Sequence, residues 1–313
     1  MKGLELSKRF YEECGRPMLE ERFAHLLPYI AIGLVGSGSE CFGYDDEISA
    51  DHDFEPAFCI FLPDEETVGR RQAFELERAY AKLPRVFLGY KRSYVTAVGG
   101  NRHGVIRTAD FYTAKTGAPD GELSAAEWLS LPEYALSEAV NGEVFFDGFG
   151  EFSRIRERLS HYPEDIRLKK LAGNLLLMAQ SGQYNYPRCI SRGESGAAQM
   201  AIFEFVKSAM AVIFLLEKRY MPYYKWSFRA LRQIEGREGL ASELEFLISS
   251  GNEKREAEKK IELIESICQR ISTELNKRKI SPSDSAEMEC QAYATNNKIK
   301  DTNLRNMHVL AAV

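Results

Sequence analysis

The sequence predicts an α+β chain, with strands and helices mingled up to about residue 150 and helices alone beyond it. Short apolar runs closed by glycine or turn residues, at 29–35, 51–62, 94–98, 105–112 and 144–146, read as strands. From residue 152 onward the apolar positions follow helical spacing instead. A length of 313 residues also exceeds one ordinary core, which gives an α/β domain over 1–150 and a helical, substrate-binding domain over 151–313.

Taken in order, residues 4–27 place Leu6, Phe10, Leu19, Phe23, Leu26 and Leu27 at roughly helical spacing. Gly15-Arg16-Pro17 interrupts them, so two helical pieces precede the first strand. Residues 39–48 form a short helix or turn between strands 29–35 and 51–62. Segment 65–83 is charged on one side and apolar at Val68, Phe74, Leu76, Tyr80 and Leu83, the pattern of a helix lying on a sheet. Gly99-Gly100-Asn101 joins strands 94–98 and 105–112. Helices are expected at 152–159, 166–180, 197–216, 228–234, 240–248 and 253–275. The polar tail from Ser281 regains Leu304, Met307, Val309 and Leu310, which predicts a docked terminal helix.

The net charge of -5 sets up no general field for a polyanion, so nucleic acid would need a local basic patch. Cys14, Cys41, Cys59, Cys189, Cys268 and Cys290 are scattered without a C-x-x-C pair, as expected of reduced thiols in a cytoplasmic protein. The first ten residues carry charges throughout and lack the apolar run of an export signal. The most apolar stretch, 209–216, is flanked by Lys207 and Glu217 and is shorter than the ~20 residues of a membrane span. It reads as a core helix, and no membrane partner is expected.

Chemistry concentrates in Gly36-Ser37-Gly38-Ser39, which follows the first strand, and in Asp51-His52-Asp53-Phe54, which opens the second. On a strand Asp51 and Asp53 would face the same way, roughly 6.6 Å apart at a rise of ~3.3 Å per residue. At an effective dielectric of ~20 they would repel by roughly 2.5 kcal/mol, and hard carboxylate oxygens suit magnesium. Two ions held there would support phosphoryl or nucleotidyl transfer. The glycines of the turn admit close backbone approach, while its serines and amides suit phosphate oxygens.

The order Gly38-Ser39, then Asp51-x-Asp53-Phe54, resembles the signature of the DNA polymerase β-like nucleotidyltransferase superfamily. The Asp-His-Asp form, the stretch Gln180-Ser181-Gly182-Gln183-Tyr184-Asn185-Tyr186-Pro187-Arg188 and the stretch Tyr224-Lys225-Trp226-Ser227-Phe228-Arg229 are similar to a bacterial family within it, catalogued only as a domain of unknown function. The resemblance implies a nucleotidyltransferase-type mixed sheet with flanking helices. It also implies two Mg2+ ions on Asp51 and Asp53, an NTP (ATP foremost) and an acceptor hydroxyl. A third acid on a later strand is implied as well, for which Asp110 comes first, with Asp147 and Glu143 behind it. His52 stands where the superfamily has an apolar residue, and by alternation it faces away from the metal.

Lys225 and Arg229, four apart, share a helix face and could grip a triphosphate; as exposed charges they would serve solubility instead. Arg188 and Arg192, beside Tyr184 and Tyr186, could line the other wall of a cleft, or the aromatic turn could simply pack. A dinucleotide site fails because Cys41 stands at the third glycine position and the acids open the second strand rather than end it. A P-loop lacks its Gly-Lys-Ser/Thr element. A metal phosphohydrolase built from His25, His52, Asp53 and Asp110 would need its His-Asp pair on a helix, whereas Pro56 and the surrounding aromatics favour a strand. The alternative of another class is a non-catalytic nucleotide sensor or protein-binding module on the same fold.

Overall fold

The computed structural model describes residues 1–46, 54–92 and 102–313, so Asp51, His52, Asp53 and the expected strand at 94–98 lie outside the described residues. Two compact units emerge, Met1–Leu123 with Tyr134–Ser160 and Ser124–Glu133 with His161–Val313. The first holds a small mixed sheet and the second is helical, the α+β architecture expected from the sequence. A single division at 150 would put the helix Glu151–Leu159 in the second domain and segment 124–133 in the first, the reverse of their places in these units.

In the first unit α1 (Gly3–Phe10) and α2 (Arg16–Arg22) precede β1 (Ala31–Leu34). β2 (Cys59–Leu62), α3 (Arg70–Ala81), the pair β3 (Val86–Phe87) and β4 (Tyr90–Lys91), β5 (Gly104–Arg107) and α4 (Thr108–Thr116) follow. After α5 (Ala125–Ser130), which belongs to the second unit, the chain returns through α6 (Glu133–Val140), β6 (Glu143–Asp147) and α7 (Glu151–Leu159). The sheet order is β5-β2-β1-β6, with β1 antiparallel to both neighbours and β2 parallel to β5.

Alternation along β2 covers the sheet on both faces. Ile60 and Leu62 join Ile32 and the side chains of α1, α2 and α3, among them Leu6, Phe10, Leu19, Leu76 and Tyr80, in one buried cluster. Phe61 points the other way, its ring 5.3 Å from Phe111 of α4 and 4.1 Å from Phe152 of α7. Gly15, where a helix break was expected, lies in a π turn joining α1 to α2 and abuts the Phe58 ring; a Cβ there would meet it at 2.4 Å.

Two expected strands are shorter than their apolar runs. The β2 ladder starts at Cys59, and residues 54–58 are not strand. Pro56 has no amide to donate, and the Phe58 amide donates to the Tyr80 hydroxyl at 3.1 Å, while the Phe58 carbonyl accepts from that hydroxyl at 2.8 Å and from the Gly104 amide at 3.0 Å. The same-face argument for Asp51 and Asp53 therefore has no continuous strand beneath it in 54–58. The run 105–112 leaves the sheet at Arg107 and turns into α4, so Asp110 stands in the first turn of a helix and not on a strand.

The second unit continues with α8 (Glu164–Met178), a π turn (Ala179–Asn185), α9 (Tyr186–Ser191), α10 (Ser195–Leu216), α11 (Tyr224–Arg232), α12 (Glu238–Ser249), α13 (Lys254–Lys277), α14 (Met288–Asn296) and α15 (Thr302–Asn306). α10 is long and apolar enough to cross a membrane by length and composition, yet 67% of its apolar window is buried. It packs on α8, α9, α11 and α12, as a core helix does. The tail docks on α8: Lys169, fully buried, donates to Asn296 Oδ1 at 2.9 Å and to the Met307 carbonyl at 2.6 Å. Lys170 beside it donates to the Leu129 carbonyl at 3.0 Å and the Ala312 carbonyl at 3.4 Å.

Candidate functional site

β1 delivers the chain to the Gly–Ser turn at the end of the sheet where Gly33 pairs with Cys59. Gly36 and Gly38 adopt φ of +102° and +130°, which glycine reaches without a Cβ penalty. At Gly38 the space is closed as well, because a Cβ would lie 2.2 Å from Arg102 Nη2. Asn141, just before β6, brackets Gly36: its Oδ1 accepts from the Gly36 amide at 2.7 Å and its Nδ2 donates to the Gly36 carbonyl at 2.7 Å. Arg156 of α7 fixes that loop, donating to the Asn141 carbonyl at 2.6 Å and the Gly142 carbonyl at 3.1 Å.

Two cations converge on the turn. Lys115, at the end of α4, donates to the Ser37 hydroxyl at 2.7 Å and to Glu138 Oε2 at 2.5 Å, and Ser37 donates to the same Glu138 oxygen at 2.7 Å. Arg102 Nη2 donates to the Ser37 carbonyl at 2.8 Å and to Glu40 Oε1 at 2.6 Å. Ser37 itself is exposed. The turn is thus a polar junction of backbone, hydroxyl and two guanidinium or ammonium groups, each balanced by a carboxylate. The motif's own residues hold no lysine or arginine, and both cations reach it from distant positions of the chain. Lys115 and Arg102 were not legible because α4 returns across the sheet to place the first, and a contact over 62 positions places the second.

The thiols nearby are inert. Burial pushes Cys59 up to about 12 and Cys41 well above its ordinary value, so neither supplies a thiolate nucleophile. All six cysteines are free.

Asp110 is not brought to the turn. β5 runs parallel to β2 from Gly104 beside Cys59 to Arg107 beside Leu62, so Asp110 leaves from the far end of the ladder. There it is exposed and lines a depression of about 420 Å³ with Leu62, Arg70, Phe74 and Arg107. Asp147 caps the start of α7, its carboxylate accepting from the Gly150 and Ser153 amides at 2.7 and 2.8 Å. Glu143 pairs with Lys8 at 2.5 Å. Among the described residues no group of three or more His, Cys, Asp or Glu side chains could hold a metal ion.

In the second unit Lys225 is exposed and its ammonium lies 4.9 Å from the Trp226 ring, with the Arg229 guanidinium 6.0 Å from the same ring. Arg188 lies over Tyr184 at 4.5 Å. Gly182 is closed by Phe205, and buried Tyr186 bonds to Asn252 at 3.1 Å, so much of the stretch 180–188 serves packing.

Residues 128–227 match a family model described as a domain of unknown function (DUF4037). The match includes the stretch 180–188 and ends within the stretch 224–229. No curated protein and no solved structure matches the chain.

Proposed function

We propose that the protein is a magnesium-dependent nucleotidyltransferase that moves a nucleoside monophosphate from an NTP, ATP foremost, to a hydroxyl of an acceptor. One observation carries the reading: a Gly–Ser turn with positive-φ glycines and an exposed Ser37 has Lys115 on that serine's hydroxyl and Arg102 on its backbone. Such a turn offers phosphate oxygens amides, hydroxyls and positive charge together. Glu138 and Glu40 hold the two cations in place, and an incoming triphosphate exchanges with them as their partner. Glu40 and Glu138 being so engaged, carboxylates for a divalent cation come from Asp51 and Asp53, whose hard oxygens suit magnesium. Bound there, Mg2+ would neutralise triphosphate charge and lower the barrier to attack by the acceptor oxygen. A cytoplasmic setting is proposed with this activity.

A second reading, a nucleotide-sensing or protein-binding module, is favoured by the closed Lys115–Glu138–Ser37 arrangement, which satisfies the turn from within. Pyrophosphate release from the four NTPs with magnesium, across candidate acceptor alcohols, separates the two. Release that disappears in the Asp51→Asn/Asp53→Asn variant supports transfer. Nucleotide binding without release under any acceptor supports the sensor.

A further inference from the structure

Six basic residues of the second unit surround one groove of about 440 Å³: Arg167, Lys218, Arg278, Lys279, Lys298 and Lys300. They converge from the first turn of α8, the C-terminal ends of α10 and α13, and the segment after α14. That volume is in the range of small-ligand sites.

The two arginines are committed to the fold. Arg167 forks onto Glu164 at 3.0 and 2.6 Å and donates to the Leu215 carbonyl at 3.1 Å. Arg278 donates to the Leu216 carbonyl, to Glu217 at 2.8 Å and to Glu274 at 2.6 Å. Both satisfy the carbonyl end of α10. The four lysines differ: they are exposed, and among the described residues their ammonium groups have no hydrogen bond or ion pair. Of the groove's acids, Glu164, in whose field Lys218 lies, is held by Arg167, while Asp165, which accepts from the backbone amides of Lys300 and Asp301 at 3.1 and 2.8 Å, keeps its charge and offsets one of the four.

Two of these lysines also occupy conformations that favour another residue. Lys218 and Lys279 have φ of +52° and +59°. Each follows a helix whose end is closed by a bond reaching back five residues, Arg219 N–H to the Phe214 carbonyl and Ile280 N–H to the Leu275 carbonyl, both at 2.9 Å. Glycine is the residue that ends helices in this way, and a side chain there carries a conformational cost. Helix termination alone therefore does not account for lysine at either position.

We propose that this groove binds a small anion bearing two or more phosphoryl groups. Compact ammonium groups approaching from several directions suit phosphate oxygens, while the guanidinium forks that would grip a lone carboxylate are already occupied. With Asp165 set against one of the four lysines, the positive charge left still exceeds what a monoanion balances. The confinement of the lysines to one groove, in a chain of net charge -5, fits a compact ligand rather than a long nucleic acid. The proposal is independent of the nucleotidyl-transfer reading.

The test is calorimetric titration of the full chain with tripolyphosphate, pyrophosphate and sulfate, in EDTA and at about 150 mM salt so that loose surface attraction is screened. Tripolyphosphate is expected to bind most tightly and sulfate not detectably. Lys218→Gly with Lys279→Gly should raise the melting temperature, since glycine relieves both left-handed positions, and yet weaken tripolyphosphate at least tenfold. Lys298→Gln with Lys300→Gln should weaken it similarly at unchanged melting temperature. Equal affinity in wild type and both lysine pairs overturns the proposal, as does no binding at all, or capture of a single-stranded oligonucleotide where tripolyphosphate fails.

Discussion

Lys115 Nζ lies 2.7 Å from the Ser37 hydroxyl across 78 positions of sequence, so the last turn of α4 and the turn after β1 act as one charged surface. Replacing Lys115 with Met keeps the stem that packs there and removes the charge. Nucleotide affinity should fall about tenfold or more, since a charge-assisted bond is worth roughly 1.5–3 kcal/mol and a decade ~1.4 kcal/mol. Calorimetry with ATP and magnesium measures the loss, and an unaltered Kd in Lys115→Met would remove this turn from the nucleotide site.

Gly38→Ala should destabilise the protein by about 1–3 kcal/mol. Its φ of +130° excludes a side chain, and the added carbon would displace Arg102 from Glu40. Denaturant unfolding measures the loss. An alanine variant as stable as the wild type would mean that the turn readily takes another conformation.

Asp110→Ala should leave nucleotide affinity unchanged and shift stability by no more than about 0.5 kcal/mol, the usual effect of a surface substitution. The carboxylate is exposed at the sheet end away from Gly36. Abolished transfer in this variant would restore it as the third acid.

Lys169→Ala should loosen the C-terminal tail. The fully buried ammonium satisfies Asn296 Oδ1 and the Met307 carbonyl, and orphaning buried acceptors costs about 1–3 kcal/mol. Limited proteolysis should then cut beyond residue 296 under conditions in which the wild-type tail resists.

Stability should rise and then fall on the alkaline side. Burial lowers the pKa of Lys169, Lys170 and Lys260 below the ordinary 10.5. In the window between the lowered values and 10.5 the unfolded chain binds more protons, so these groups make stability increase with pH. Burial raises the phenols of Tyr80, Tyr112, Tyr162 and Tyr220 above 10, and Tyr186 to about 12. Above pH 10 the unfolded phenols ionise first, and stability falls by up to about 1.4 kcal/mol per pH unit for each such group. The last rise in tyrosinate absorbance, that of the buried phenols, should therefore accompany the change in circular dichroism above pH 10. Tyrosinate absorbance that is complete before the fold is lost would refute this account.

The helices and the α+β division were legible because helical spacing and glycine-closed apolar runs are local signals; α8, α10, α12 and α13 lie within a few residues of the spans read from spacing. The strands were read too long where non-local partners decide. An apolar run does not reveal that the Tyr80 hydroxyl takes the backbone of Phe58, or that the chain turns into a helix at Thr108. α14 was missed because its buried face carries Gln291, Thr295 and Asn296 alongside Met288 and Ala292, so apolar periodicity is weak. At the site, Gly36, Ser37 and Gly38 were found from composition and order. Arg102, Lys115, Glu138 and Asn141 were not, since each reaches the turn only through the pairing of β5 with β2, the return of α4 or the pairing of β6 with β1.

The two units share three chain crossings, near residues 123, 133 and 160, rather than one. Segment 128–227, the stretch that a family model recognises, therefore does not coincide with either body. Excised alone it would take β6 away from its partner β1 and α8 away from α14 and the terminal segment that Lys169 and Lys170 anchor. Expression of that fragment should give an insoluble or unfolded product, and any screen for binding partners of this protein needs more than that fragment as bait.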